Sequence, residues 1–311
     1  MKCLITGGAG FIGSHLVDQL LDLNNQVTIV DNFTTGKELN LSQHHSNKNL
    51  IIFQQSIVDN VADIFDQGKF ETVFHLAAIP QVEYSIHNPI ETNKIHIDGA
   101  LNLLDACRQF KVKRFIFTSS SAIYGDHVSL PTPETAIPNP ISPYGLQKLT
   151  GEHYCRLYSL LYGLQSIVFR LFNVYGPRQN PEGDYANVIP KFIDCVNRGT
   201  NPPVRGDGQN SRDYVFISDV VSALVKAPTL KSNFIGAINL GSGQGVSLNA
   251  LVRAIATTTG KAVKPNHVAA VAEPKKTLAD ISRAKKFLGW TPKTSFSEGL
   301  RLTYEYFSQN G

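Results

Sequence analysis

The sequence predicts an α/β fold, with a doubly wound parallel sheet in the N-terminal half and a smaller C-terminal α/β lobe. Three features point to it. Apolar, β-branched runs recur as "KCLIT", "QVTIVD", "LIIFQQ", "TVFHLAA", "KRFIFTSS" and "QSIVFRLFN". Helix-like stretches at 12–23, 90–110 and 143–162 lie between most of them. After about Gly176 the rhythm breaks, and Pro177, Pro181, Pro190, Pro202 and Pro203 fall close together among several glycines. Strands that are apolar on both faces and alternate with helices form parallel sheets covered on both sides, with ligands at the carboxyl ends of the strands. One boundary is expected, dividing a first domain at 1–176 from a second lobe at 177–311.

The first strand runs into "GGAGFIGSHL", where Gly7, Gly10 and Gly13 lead into the first helix. Glycines there permit a tight turn and let backbone N–H groups approach a pyrophosphate at the helix N-terminus. The second strand ends in Asp31. Its carboxylate can accept hydrogen bonds from an adenosine ribose and would repel a 2′-phosphate. A Rossmann-type site for NAD, rather than NADP, follows.

The fifth strand ends in a row of hydroxyls, Ser119, Ser120 and Ser121. The helix at 143–162 opens on "SPYGLQKLTG", where Ser142 can cap it and Pro143 suits its first turn. Tyr144 and Lys148, spaced by one helical turn, share a face. A tyrosine near pKa 10 is a poor base at neutral pH, and lowering it by roughly three units needs about 4 kcal/mol of preferential phenolate stabilisation. An adjacent ammonium and a cationic nicotinamide ring both act in that direction. Beyond Gly176, a helix is expected near 187–197, a strand at "DYVFI" and a helix from about Ser218.

The bulk properties narrow the partners. A net charge of +4 with scattered basic residues argues against nucleic acid and suits an anionic ligand. At 311 residues, 42% apolar and 17% charged, one large domain or two intimate ones of a soluble globular protein are expected. Cys3, Cys107, Cys155 and Cys195 are far apart with no CxxC pair, so buried free thiols are expected rather than a disulfide framework or a metal site. No apolar run is long enough for a membrane span and no separate leader precedes the first strand, which makes the cytoplasm the expected compartment. Two features read as decoys. "GSGQG" at 241–245 is expected to be a turn before a helix capped by Ser247, and His44 and His45 a solvated polar loop.

The GxxGxxG spacing, the serine-rich strand end and YxxxK, in that order, resemble the extended short-chain dehydrogenases/reductases over essentially the whole chain. The resemblance implies a catalytic triad of Ser120, Tyr144 and Lys148. It implies that Gly7, Gly10, Phe11, Ile12 and Gly13 carry the cofactor's phosphates, and that Asp31 and Asn32 in "DNFTTG" hold its ribose, with Lys37 nearby. "HLAA" at 75–78 resembles the segment whose backbone, through Leu76, Ala77 and Ala78, lines the cofactor. Ser56, Ile57 and Phe172 complete the implied NAD contacts, with Tyr144 and Lys148.

"RLFNVYGPRQNPEGDYANVIPKFI" at 170–193 and "GDGQNSRDYVFISDVV" at 206–221 resemble nucleotide-sugar epimerases, above all those that act at C4 of UDP-glucose and UDP-N-acetylglucosamine. The likeness implies that Asn173 meets the sugar diphosphate, Asn187 and Val188 the nucleotide, and Arg212 a phosphate. Dehydratases of this group carry an acid just after the catalytic serine or threonine; here Ser121 and Ala122 stand there, and elimination would lack its proton donor. The implied reaction is oxidation at C4 by bound NAD with Tyr144 as base, rotation of a transient 4-keto sugar, and reduction from the opposite face. The resemblance also places Thr277, shortly before "AD", at the position that in these epimerases walls the pocket beside the sugar C2 substituent, where a small residue implies room for an N-acetylated sugar.

Four departures accompany the resemblance. Ser56 replaces a frequent aspartate, His96 a frequent asparagine, and Arg205 an aromatic that stacks on uracil. "AVAE" at 270–273 lacks an arginine expected on the diphosphate, leaving Lys275 and Lys276 as the candidates to compensate. A UDP-glucuronate epimerase or decarboxylase, and a non-catalytic NAD sensor, remain as alternatives. Apolar faces at 90–110 and 143–162 suit either core or a helix-pair interface, and the resemblance favours a homodimer.

Overall fold

The computed structural model describes residues 1–126, 129–181, 187–230, 234–270 and 273–310. Residues 182–186, within the stretch likened to epimerases, and Val271 and Ala272 of "AVAE" lie outside the described residues.

The apolar runs form strands β1 (Lys2–Thr6), β2 (Gln26–Asp31), β3 (Leu50–Gln54), β4 (Thr72–His75), β5 (Arg114–Ser120) and β6 (Gln165–Leu171). After β7 (Asn173–Tyr175), β8 (Pro203–Arg205) and β9 (Ser211–Phe216), strand β10 (Gly236–Leu240) completes a seven-stranded sheet in the order β10-β6-β5-β4-β1-β2-β3. β1 pairs in parallel with both β2 and β4, which makes the gap between β1 and β4 the topological switch point. Thr6 is in register with both Val30 and His75, so the carboxyl ends of three strands finish level. Gly7, Asp31 and Leu76 are thereby brought to one edge.

Helices α1 (Phe11–Asp22), α2 (Ala62–Gly68), α3 (Val82–His87), α4 (Pro89–Asn93), α5 (Gly99–Gln109) and α6 (Pro143–Tyr162) accompany this sheet. The core packs Leu4, Val30 and Val73 of the sheet against Phe65, Leu103 and Leu104 of the helices. The single helix expected at 90–110 is instead interrupted: a π-turn at Lys94–Asp98 joins α4 to α5. Its extra residue re-phases the side chains that follow, and His96 is buried inside it. "LIIFQQ" reads as covered strand, yet Ile51 is 55% exposed, because β3 is a sheet edge.

The chain divides into two compact units, and neither is continuous in sequence. The first comprises Met1–Ile123, Pro140–Arg170 and Val221–Ile238; the second comprises Tyr124–Asn139, Leu171–Val220 and Asn239–Gly311. That differs from one cut after Gly176, because β10 returns beside β6 only after much of the second unit has been laid down. The second unit holds a three-stranded sheet in which β11 (Gly245–Ser247), β9 and β7 lie side by side, and a pair formed by β8 and β12 (Asn266–Val268). Its helices include α7 (Val188–Asn197), α9 (Leu248–Thr259), α10 (Ser282–Leu288) and α11 (Phe296–Asn310), while α8 (Ile217–Lys226) runs from the second unit into the first. Ser247 caps α9 by accepting from the Ala250 N–H, so "GSGQG" is a turn before a capped helix. Among the described residues no helix is long and apolar enough to cross a membrane. Cys3, Cys107 and Cys155 are buried free thiols, and Cys195 is half-buried.

Candidate active site

In the first unit the loop after β1 turns through Gly7 at φ +72°, and a Cβ there would sit 2.7 Å from the Ala77 nitrogen. Only glycine lets this loop lie against the backbone of "HLAA". Gly10 precedes α1, and no side chain caps that helix end. The N–H groups of Phe11, Ile12 and Gly13 open the first turn, a position that attracts an anion. Asp31 accepts from the Ala9 N–H through Oδ2 and from the Phe33 N–H through Oδ1, both at 2.9 Å. Burial raises its pKa, and those two bonds act in the opposite direction. Asn32 and Lys37 are exposed on the same loop, and the Lys37 N–H donates to the Ala9 carbonyl. Leu76, Ala77 and Ala78 are half-buried after β4, and the Ala77 N–H donates to Thr6 Oγ1. Ser56 is half-buried, with its N–H donating to Asp59, and Ile57 is buried. An uncapped helix end, a side-chain-free turn and a carboxylate at the end of β2 fit the pyrophosphate and ribose of NAD.

The triad residues meet in this same unit. Ser142 Oγ accepts from the Gly145 N–H at 3.1 Å and Pro143 opens α6, as the sequence predicts. The Tyr144 N–H, left over at the helix start, donates to Ser85 Oγ at 3.0 Å. A Cβ on Gly145 would stand 2.7 Å from the Ala122 carbonyl, so glycine allows the first turn of α6 to rest on the loop after β5. That approach brings Tyr144 into hydrogen-bonding contact with Ser120, while Ser121 is half-buried beside it in sequence. Lys148 Nζ donates to the Thr118 carbonyl at 2.9 Å and lies 5.9 Å from the Tyr144 ring centre. Both side chains are buried. Burial pushes the Tyr144 phenol up to about 12, against a downward pull from Ser120, and pushes the Lys148 ammonium down to about 8. Without a ligand, then, Tyr144 is held protonated, the reverse of the lowered pKa that a base requires, because burial outweighs the hydrogen bond with Ser120.

Several neighbours of the triad have no motif to announce them. Gln147, inside YxxxK, bonds to His96. Glu152, one turn beyond Lys148, is buried against Arg170 at 2.8 Å and accepts from Ser119. His44, expected to be solvated, instead bonds Asp18 at 2.8 Å, while His45 is exposed.

The second unit gathers a different set. Asn173 Nδ2 donates to the Asp213 carbonyl and to Thr277 Oγ1, each at 3.4 Å. Thr277 is tied to β9 through its own N–H, which donates to the Ser211 carbonyl. Asp213 is buried beneath, and accepts from Ser242, Gly243 and Ala279. Arg212 is already paired: its guanidinium lies 2.8 Å from Glu273, whose other oxygen accepts from Asn210. Glu273 is the acid of "AVAE", and its pairing with an arginine on β9 is a contact the local sequence does not signal. Lys275 and Lys276 are exposed. Arg205 ends β8; Asn187 and Val188 begin α7, which has no side-chain cap. Phe172 is buried against Tyr124, with ring centres 6.3 Å apart. Among the described residues no cluster of His, Cys, Asp and Glu could hold a metal ion.

A buried Tyr–Lys pair on the same sheet edge as an anion-binding helix start belongs to enzymes that oxidise and reduce a hydroxyl with a bound dinucleotide. Comparison with known proteins narrows the class: residues 3–241 match the NAD dependent epimerase/dehydratase family, and the chain belongs to it. It is 42% identical to the UDP-glucose 4-epimerase of Thermotoga maritima, solved with UDP-glucose, with a TM-score of 0.95 over 100% of this chain and 99% of that one. It is 35% identical to the UDP-N-acetylglucosamine 4-epimerase of Methanobrevibacter ruminantium, solved with UDP-N-acetylmuramic acid, with a TM-score of 0.95 and the same coverage. The UDP-glucuronic acid 4-epimerase of Bacillus cereus, solved with UDP-glucuronic acid and NAD, is 33% identical, with a TM-score of 0.92 over 100% of both chains.

Proposed function

We propose that the protein is an NAD-dependent 4-epimerase of UDP-hexoses, acting on UDP-N-acetylglucosamine and UDP-N-acetylgalactosamine or on UDP-glucose and UDP-galactose. The buried Tyr144–Lys148 pair in contact with Ser120 is the observation that carries this reading. NAD supplies, when bound, a hydride acceptor and donor and a positive charge.

Tyr144 removes the proton from the C4 hydroxyl and later returns it. Its phenol, raised by burial, becomes a base only when positive charge favours the phenolate, so proton removal is confined to the cofactor-loaded site. Ser120 donates to the C4 oxygen once Tyr144 is ionised, and Lys148 would hold the cofactor's ribose while adding to the field that favours the phenolate. Phe11, Ile12, Gly13 and Asp31 would anchor the cofactor. Asn173 and Arg212 are assigned to the diphosphate, Asn187, Val188 and Arg205 to the nucleotide. Ser121 and Ala122 supply no acid for elimination, which favours epimerisation over dehydration.

Thr277 is small and its hydroxyl is engaged by Asn173, which leaves space for an acetamido group and supports the N-acetylated pair. Exposed apolar residues in α3, α4 and α6, including Ile86, Ile90, Leu160 and Leu161, suit burial by a second copy, so a homodimer is assigned. The compartment assigned is the cytoplasm, where nucleotide sugars are met in solution. Proton NMR of UDP-N-acetylglucosamine incubated with the purified protein, without added NAD, tests the assignment. Appearance of UDP-N-acetylgalactosamine is expected. Conversion of UDP-glucose alone would overturn the sugar preference, and no conversion of either, with NAD supplied, would overturn the reaction.

A further inference from the structure

We propose that His96 is a positioning residue for proton transfer, a neutral imidazole that ties the loop after β4 to the catalytic helix; this rests on the roles of Tyr144 and Lys148 proposed above. His96 lies in the π-turn between α4 and α5 and is only 2% exposed. The Ile79 N–H donates to its Nε2 at 3.0 Å. A backbone amide can only donate, so Nε2 is an acceptor and bears no proton. The proton of the neutral ring is therefore on Nδ1, which stands 2.7 Å from Gln147 Oε1. The orientation of Gln147 is fixed in turn, because its Nε2 donates to the Pro89 carbonyl at 3.2 Å and to Thr92 Oγ1 at 3.1 Å.

One ring thus joins three segments: the backbone after "HLAA", the π-turn, and α6 at the residue next to Lys148. Its flank packs against the reacting group, with the imidazole edge-on to the Tyr144 ring, centres 5.5 Å apart and planes at 78°. Burial, followed by repulsion from Lys148, pushes the imidazole down to about 3, so the ring braces without adding charge. π-Turns within helices concentrate at functional sites, and this one carries the brace. Proton transfer is sensitive to such support, since a misplacement of about 1 Å costs on the order of 100-fold in rate.

Two variants separate bonding from bulk. His96→Phe keeps a ring beside Tyr144 but leaves the Ile79 N–H and Gln147 Oε1 without partners. His96→Asn keeps an acceptor oxygen and a donor nitrogen. With the UDP-hexose that the protein turns over, His96→Phe is expected to lower kcat by about 10- to 100-fold, with KM within roughly twofold and NAD retained. His96→Asn is expected to recover kcat to within about fivefold of the unaltered protein. In the unaltered protein at pH 7, nitrogen-resolved imidazole NMR should show His96 protonated on Nδ1 alone. An unchanged kcat in His96→Phe, a His96→Asn as slow as His96→Phe, or a proton on Nε2 would overturn the proposal. Should His96→Phe fail to fold, His96→Asn and the tautomer decide. Should the unaltered protein turn over no UDP-hexose, the epimerase reading fails while the tautomer still decides the brace.

Discussion

In the first unit Tyr144, Lys148 and His96 are buried without counter-ions, whereas in the second unit Arg212 is paired with Glu273. Tyr144, Lys148 and His96 all sit in contact with neutral partners, and burial is the largest influence on each, holding them near 12, 8 and 3. Arg212 and Glu273 face one another at 2.8 Å with part of each side chain in solvent. The difference matches the roles proposed for each group. A residue that must gain and lose a proton stays responsive if nothing in the chain has already settled its charge, so that a bound ligand decides it. A residue that only holds an anion can rest against a carboxylate and exchange it for phosphate when the ligand arrives.

The comparison breaks most sharply at Tyr144. Tyr144→Phe removes the one group assigned to move the proton, and turnover should fall by about 10³-fold or more while the purified protein still carries NAD. A variant of ordinary activity would place the base elsewhere; absorbance and cofactor extraction measure the retained NAD.

Acid sharpens the contrast next. The folded-state pKa of His96 lies below its unfolded value, so between about 6.5 and 3 the unfolded chain binds the extra proton and stability falls as pH falls. Taking pH 7 to pH 4.5, the loss through His96 is about 2–3 kcal/mol. Lys148 and His75 are the charged or titratable neighbours that oppose its protonation or share its burial. Urea unfolding at the two pH values should show a steeper loss in the unaltered protein than in His96→Asn. Equal slopes would mean that the imidazole is not kept neutral by the fold.

The smallest effect is expected in the second unit. Glu273→Gln removes the carboxylate that competes for Arg212 and should tighten UDP binding by roughly three- to tenfold, about 0.7–1.4 kcal/mol, by calorimetric titration. Weaker binding would show that Glu273 aligns the guanidinium rather than competing for it.

The glycine turn after β1, Asp31 at the end of β2 and the meeting of Tyr144 and Lys148 beside Ser120 were legible as local geometry, because each depends on spacing within one or two adjacent elements. Ser142 and Pro143 announced the helix start for the same reason. The brace was not legible: His96 and Gln147 are 51 residues apart, and only the fold reveals that a departure from the usual asparagine acquires two partners. Thr277 stood out by its place before "AD", but its bond to Asn173 spans 104 residues. The lost arginine near Ala270 was visible as an absence. That the remaining acid, Glu273, takes up Arg212 needed three-dimensional proximity. The π-turn escaped because apolar periodicity continues on both sides of it, and a single inserted residue leaves no compositional mark.

The return of β10 beside β6 also constrains how the protein can be made. On a ribosome, β6 is finished at Leu171, but its outer neighbour is not complete until Leu240 has been added. At about 5–20 residues per second, the exposed edge of β6 waits roughly 3–14 seconds for its partner. Such an edge presents unpaired N–H and C=O groups to any other extended chain. A fragment ending near residue 176 would retain Ser120, Tyr144 and Lys148 and yet carry that edge permanently, open to pairing with other extended chains.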